Sequence, residues 1–249
     1  MAGHSHWANI AHKKALRDNK RGKVWSKLSK AIIVAAKAGG GDPDANLKLR
    51  YAIDAAKAVS MPKDNIQRAV KKGTGELEGG NLEEVLYEGY GPSGVAVMCE
   101  ILTDNRNRTA GEIRKIFEQS DGKLGETGCV AWMFERKGLF VVPADSTEED
   151  ALLEHALEAG AEDVKRSGDN FEVTSDPGTF AEVEAALRNA GVNVDASQIA
   201  QIPNSTVELD VDLARKVLDL MQKLDDHDDV QNTSANFNIP DEALAEIEG

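Results

Sequence analysis

Seven basic side chains fall between residues 13 and 27, at Lys13, Lys14, Arg17, Lys20, Arg21, Lys23 and Lys27. On an α-helix Lys13, Arg17, Lys20 and Arg21 share one face, a spacing that lets cations follow successive phosphates. His4, His6, Trp7 and His12 lie just upstream, where they can stack on bases or donate hydrogen bonds. Basic runs are often no more than a solvated helix face, but residues 1–75 contain no Glu to balance this one. The pattern is the electrostatic footprint of a phosphate-binding surface.

A second cationic group is Asp104-Asn-Arg-Asn-Arg-Thr109, where Arg106 and Arg108 sit between a strand and a helix. Arginines at a helix N-terminus can clamp an anion, and the same residue types can equally just fix a turn. The other chemical strings are weaker. Gly89-Tyr-Gly-Pro-Ser-Gly94 spells a dinucleotide-binding GxGxxG, but Pro92 interrupts it and an alternating strand follows where a helix is required, so it reads as a turn. Ala2-Gly3-His4 could chelate copper or nickel in a test tube without implying a role. Asp225-Asp-His-Asp-Asp229 is rich in carboxylates but lacks EF-hand spacing and reads as a solvated acidic turn. No GxSxG, HExxH or P-loop is present, and His155 reads as a helix-face histidine.

The charge of the whole chain places the basic run in context. Residues 1–75 hold 16 Lys/Arg against 5 Asp, a net of +11; the remainder holds 13 Lys/Arg against 38 Asp/Glu, a net of −25. Only concentrated positive charge can grip a polyanion, so the acidic pI of about 4.8 conceals a basic block joined to an acidic body. At 249 residues the chain can build two or three small domains. Cys99 and Cys129 are far apart and lack CxxC spacing, so both are expected to be free buried thiols. No apolar run is long enough to span a bilayer, and a cytoplasmic protein is expected.

Apolar spacing supplies the elements. Helices are predicted over about Ile10 to Arg21, Val24 to Lys37 (stripe Trp25, Leu28, Ile32, Ala35 or Ala36), Asp44 to Val59 and Pro62 to Gly73. A glycine-rich linker, Gly73 to Gly80, coincides with the change in charge. Strands are predicted over Val85 to Tyr90 and Val95 to Thr103, joined by a turn at Gly91 to Gly94. A helix capped by Thr109 and Glu112 follows, and then a strand over Val130 to Phe134. The next stretch reads β-α-β-β-α-β: strand to Val142, helix Thr147 to Ala159, strands near Val164 and Phe171 to Val173, helix Pro177 to Ala190 and strand Val192 to Val194. Beyond Pro203 come a short strand at Val207 to Leu209, a helix Val211 to Leu224 and a strand over Val230 to Phe237. The expected fold class is α+β, with an N-terminal helical domain followed by two ferredoxin-like α/β domains, one inserted in the other. The boundaries are 1–75, 81–134 plus 204–240, and 135–203 for the insert.

The chain as a whole resembles the YebC/PmpR family, whose mitochondrial relatives are translational activators of a cytochrome oxidase subunit. The resemblance is carried by Met1-Ala-Gly-His-Ser-His-Trp-Ala-Asn-Ile10, Arg21-Gly-Lys23, Gly40-Gly-Asp-Pro43, Met61-Pro62, Asn65-Ile-Gln-Arg-Ala69, Tyr87-Glu-Gly-Tyr-Gly-Pro92, Leu102-Thr-Asp-Asn-Arg-Asn-Arg-Thr109, Ala156-Leu-Glu-Ala-Gly-Ala-Glu-Asp163 and Leu224-Asp-Asp-His-Asp-Asp-Val-Gln231. Cys129 stands where serine is common in that family. The resemblance implies three domains in an open, claw-like arrangement and a non-enzymatic role in gene expression, as a DNA-binding transcriptional regulator or a ribosome-associated factor that helps translate stretches such as consecutive prolines. By similarity, nucleic acid would meet His4, Lys13, Lys14, Arg17, Lys20, Arg21 and Lys23, with Arg106 and Arg108 as further contacts.

The full expected nucleic-acid set is therefore His4, His6, Trp7, Lys13, Lys14, Arg17, Lys20, Arg21, Lys23, Lys27, Arg106 and Arg108. The partner is promoter DNA or ribosomal RNA, with the ribosome as a possible larger target; no membrane, cofactor or metal is expected, and the protein is expected to be a monomer. Two other classes stay open. One is a metal-dependent enzyme using Glu88, Glu100, Asp104 and Asp225 to Asp229. The other is a scaffold whose acidic surface binds basic proteins.

Overall fold

A computed structural model describes residues 21–79 and 81–248. Three helices come first: α1 (Arg21–Gly39), α2 (Leu47–Ala58) and α3 (Lys63–Gly73). Ile32, Ile33, Ala35 and Ala36 of α1 pack with Leu49, Ala56, Ile66 and Ala69 into one small core, with Trp25 and Leu28 at its margin. The corner between α1 and α2 is set by buried Asn46. Its Oδ1 accepts the Leu49 amide (3.1 Å) as an N-cap, while its Nδ2 donates to the carbonyls of Ala35 (2.8 Å) and Gly40 (2.9 Å). At the end of α3, a Cβ on Gly73 would sit 2.4 Å from the Ile33 carbonyl oxygen, so only glycine allows the two helices to approach this closely.

The α+β body contains two four-stranded antiparallel sheets. The first is built from β1 (Glu83–Tyr90), β2 (Ala96–Thr103), β3 (Lys123–Leu124) and β9 (Val230–Ala235), in the order β3-β1-β2-β9. One face is covered by α4 (Arg106–Gln119) and α7 (Val211–Asp225). Val97, Cys99 and Ile101 of β2 meet Ile113 and Phe117 of α4 and Val217, Leu220, Met221 and Leu224 of α7. That face follows from the alternation along β2. The opposite face is also covered, because Ala96 and Met98 pack under Val130 and Phe134.

Between β3 and α7 the chain forms the second sheet, from β4 (Phe134–Pro143), β5 (Ala161–Ser167), β6 (Asn170–Ser175) and β7 (Ala196–Pro203), with α5 (Glu149–Glu158) and α6 (Phe180–Asn189). Its order, β5-β6-β4-β7, places a strand inside each β-α-β crossover, the split arrangement of ferredoxin-like units. The first sheet has one such split crossover, β2-α4-β3 around β1, and its hairpin lies at the centre of the sheet. A short parallel pair, β8 (Val207–Glu208) with β10 (Phe237–Asn238), and a last helix α8 (Asp241–Glu248) complete the body.

Three local expectations are corrected. Val130 to Phe134 is not a strand: Ala131–Met133 is a short 3-10 turn, and β4 starts at Phe134, because the Glu88 carboxylate takes the amides of Val130 and Ala131 out of any ladder. Val192 to Val194 is a connection held to α6 by the Val192 amide on the Leu187 carbonyl (3.0 Å), and the strand is the more polar Ala196–Pro203 beyond it. Helix α4 is capped by Asn105, whose Oδ1 accepts the Arg108 amide (3.1 Å), rather than by Thr109, which is buried in the first turn. The predicted helix before Arg21 lies outside the described residues.

Candidate nucleic-acid interface and the lysine clamp

Lys23, Lys27 and Lys30 recur at helical spacing on α1 and point at one target, the C-terminal end of α7 and the turn that follows it. Each reaches a main-chain carbonyl: Lys23 Nζ donates to Asp226 O (2.9 Å), Lys27 to Asp225 O (2.7 Å) and Lys30 to Asp228 O (2.9 Å). The Asp225 and Asp226 oxygens, at the end of α7, lack helical partners and carry the negative end of its dipole, so ammonium groups are the natural donors. Carboxylates reinforce every contact, with Asp226 Oδ1 3.5 Å from Lys23, Asp225 Oδ1 3.0 Å from Lys27, and Asp229 paired with Lys30. The acidic turn is thus the counter-charge of the basic helix.

Asp229 is the pivot of this contact. It is buried, and besides Lys30 it accepts from Thr109 Oγ1 (2.7 Å) and Arg108 (2.8 Å) through Oδ2. Burial alone would push its carboxyl up; the hydrogen bonds from Lys30, Thr109 and Arg108, with the Lys30 charge, outweigh that and hold it well below the usual carboxylate range. The Thr103 hydroxyl lies 2.8 Å from that of Thr109 and accepts the Asn105 amide, which ties the end of β2 to the start of α4. On the other side, the Asp229 amide donates to His227 Nδ1 (3.1 Å), so Nε2 carries the proton that meets Glu112 Oε2 (3.0 Å).

Of the expected nucleic-acid contacts, His4, His6, Trp7, Lys13, Lys14, Arg17 and Lys20 lie outside the described residues. Arg21 opens α1. Lys23 and Lys27 are in the clamp. Arg108 bridges Asp104 (2.9 Å) and Asp229, and its guanidinium pKa is raised by hydrogen bonds to those two carboxylates. Arg106 is exposed, 3.9 Å from Glu83. Lys30 and Thr103 were not singled out in the sequence, and Asp229, expected in a solvated acidic turn, is instead buried with Thr109. The 23, 27, 30 spacing was the available signal for Lys30; nothing local marks Asp229 apart from its place at the end of an acidic run.

The carboxylates of the metal-enzyme alternative are engaged separately. Glu88 is buried and accepts the amides of Gly128 (2.7 Å), Val130 (2.9 Å) and Ala131 (2.7 Å); these bonds overcome the upward push of burial and lower its pKa. Glu100 accepts from Asn232, and Asp104 from Arg108. Among the described residues the one convergent group of metal-ligating side chains is Glu112, His227 and Asp229, with donor atoms within 4.8 Å of one another. Asp229 already faces two cations and a hydroxyl there, a poor setting for a third positive charge. His155 is exposed on α5. Both cysteines are free, but only Cys99 is buried as expected, Cys129 being half-buried; burial pushes the Cys99 thiol up to about 12, and burial together with the Glu88 charge raises that of Cys129. No helix among the described residues is long and apolar enough to cross a membrane.

These features define a modular α+β protein in which a basic helical unit is docked by lysines onto an acidic α/β body. The chain belongs to the TACO1/YebC family: the profile of the TACO1/YebC protein N-terminal domain matches residues 5–76, and that of the TACO1/YebC second and third domain matches residues 82–237. It is 57% identical over 247 residues to a "probable transcriptional regulatory protein" of Rhodopirellula baltica, covering 99% of this chain and 100% of that one. It is 55% identical to a protein of the same description from Natranaerobius thermophilus, covering 98% and 99%. A crystal structure of a conserved hypothetical protein from Aquifex aeolicus superposes with a TM-score of 0.85 at 50% identity, over 95% of this chain and 98% of that one.

Proposed function

We propose that this protein is a nucleic-acid-binding regulator of gene expression without catalytic activity of its own, acting in the cytoplasm as a monomer. The observation that carries the proposal is the segregation of charge: +11 over residues 1–75 against −25 over the rest. An acidic body repels a polyanion, so only the helical unit can enter a phosphate-lined site. The description of the relatives as probable transcriptional regulatory proteins supports a regulatory role. Phosphate contacts position a protein without reading sequence, so promoter DNA and ribosomal RNA satisfy the same lysines. Lys13, Lys14, Arg17, Lys20 and Arg21 are the primary contacts, with His4, His6 and Trp7 beside them and Arg106 as an exposed secondary contact.

Crosslinking in cells followed by sequencing of the attached nucleic acid tests this. Replacing three cations by Glu (K13E/R17E/R21E) should reduce recovery by at least about tenfold, since each lost phosphate contact removes a counterion-release contribution. Recovery of promoter fragments from the wild type identifies a transcriptional role, and recovery of ribosomal RNA a translational one. Equal recovery from wild type and triple variant would refute the proposal and favour an acidic scaffold for basic proteins.

We also propose that the chain divides into units 1–75, 81–134 plus 204–240, and 135–203. Phe134 and Pro203 are cross-strand partners at the base of the second sheet, so the ends of the intervening segment lie side by side. Excising 135–202 and closing the gap with Asn-Gly, a two-residue turn, should leave a protein that still melts cooperatively by circular dichroism. A non-cooperative melt would show that the two sheets fold only together.

A further inference from the structure

We propose that the turn Asp225 to Asp229 is a built-in competitor for nucleic acid: it occupies the lysine face of α1 as a phosphate backbone would, and it must be displaced for that face to engage a polyanion. The inference rests on the nucleic-acid reading above and specifies how that site is regulated.

Three observations carry it. First, the geometry of the ligand: Lys23, Lys27 and Lys30 meet the carbonyls of Asp226, Asp225 and Asp228 at 2.7–2.9 Å with carboxylates beside them, which presents ammonium groups with closely spaced anionic oxygens much as a phosphate chain does. Second, occlusion: the side chains of Lys27 and Lys30 are each only 18% exposed in the docked state, so neither can reach a phosphate while the turn stays in place. Third, the contact is separable. It joins residues about two hundred positions apart, and beyond the end of α3, where the Glu76 and Leu77 amides meet the Lys71 carbonyl (2.9 and 3.2 Å), the helical unit is linked to the body through the short sequence Glu78-Gly-Gly80. Among the described residues, the helical unit also meets the body through an edge-to-face pair, Tyr51 with Phe180, at a centroid distance of 6.0 Å.

A closed form thus shields part of the basic face and an open form presents all of it, with nucleic acid shifting the balance by its preference for the open form. Weak or isolated phosphates cannot displace a turn that makes several contacts at once. An extended polyanion, which replaces all of them together, can.

The test compares full-length wild type with D225N/D226N and with a charge-matched control, E149Q/D150N, at exposed positions on α5. Asp229 is left intact because it also holds the body together. The binding of a fluorescent 20-nucleotide RNA and of the corresponding DNA duplex is measured at fixed salt, and lysine acetylation is followed by mass spectrometry without nucleic acid. The expected result is about tenfold tighter binding for D225N/D226N, a change below about twofold for the control, and faster acetylation of Lys27 and Lys30 in D225N/D226N alone. Binding by wild type with equal affinities for the two variants, or unchanged Lys27 and Lys30 reactivity, overturns the competitor while leaving the nucleic-acid function standing. No binding by any of the three proteins, with either probe, overturns both.

Discussion

Asp229→Ala is expected to destabilise the protein by about 3 kcal/mol, because removing one partner of a buried ion pair strands the others. In this case Lys30, largely covered, loses its carboxylate and keeps only the Asp228 carbonyl, the Thr109 hydroxyl is left with the Asn105 carbonyl and the Thr103 hydroxyl, and Arg108 loses one of its three carboxylates. A loss of this size is a large share of the 5 to 15 kcal/mol that typically separates folded from unfolded states, an order-of-magnitude range. Urea unfolding followed by circular dichroism measures it, and a loss below about 1 kcal/mol would show that the network is solvated. Asp229→Asn keeps an acceptor and should cost less. The effect is also dependent on pH. The folded carboxyl titrates below the unfolded value of about 3.9, so its stabilisation is complete above roughly pH 5 and fades as the pH falls through the folded pKa. The gap between wild type and Asp229→Asn should therefore be constant near neutrality and narrow in acid; a gap that widened in acid would contradict the assignment.

Glu88→Ala is expected to cost about 2–3 kcal/mol, since it leaves the buried Val130 amide without an acceptor, a loss of about 1–3 kcal/mol, and turns the more exposed Gly128 and Ala131 amides over to water. The mutation has a signature that a simple loss of stability does not produce. The thiol of half-buried Cys129 is raised by burial and by the Glu88 charge, while Cys99 lies in the core of the first sheet. Releasing the loop at 128–131 exposes one thiol and lowers its pKa. Thiol titration at pH 8 under native conditions should then show Cys129 reacting at least about tenfold faster while Cys99 stays silent. Similar rates for both would mean global unfolding, and no change would mean that Glu88 does not hold the loop. Trp132, on the same loop and 72% exposed, keeps its Nε1 on the Cys129 carbonyl (3.1 Å) and offers a fluorescence readout.

The helices and most strands were legible because their apolar periods are strong. The stripe from Trp25 to Ala36 and the alternation along Val95 to Leu102 leave few other ways to bury those side chains. The order β-α-β-β-α-β between Leu139 and the end of the second sheet was legible for the same reason. The failures have a common cause. The segment at Val130 is apolar enough for a strand, but a carboxylate about forty residues away takes its amides. Thr109 has the composition of a cap, but an aspartate 120 residues away takes its hydroxyl. Strand β7 is polar at its exposed positions, so its period is faint and the neighbouring valines attract the assignment.

By itself the amino-acid sequence determined the segregation of charge, the helical character of residues 21–73, the α+β class and the family, because composition, period and ordered motifs survive without knowledge of what touches what. Only the tertiary structure decided that Lys23 and Lys27 are held against the acidic turn, that Lys30 joins them, and that Asp229 gathers two cations and a threonine into one buried site. Those contacts join α1 to residues about two hundred positions away. Hydrogen bonds of 2.7–3.0 Å leave no periodic trace in a chain, so opposite charges known from the sequence become partners only when the fold brings them within reach.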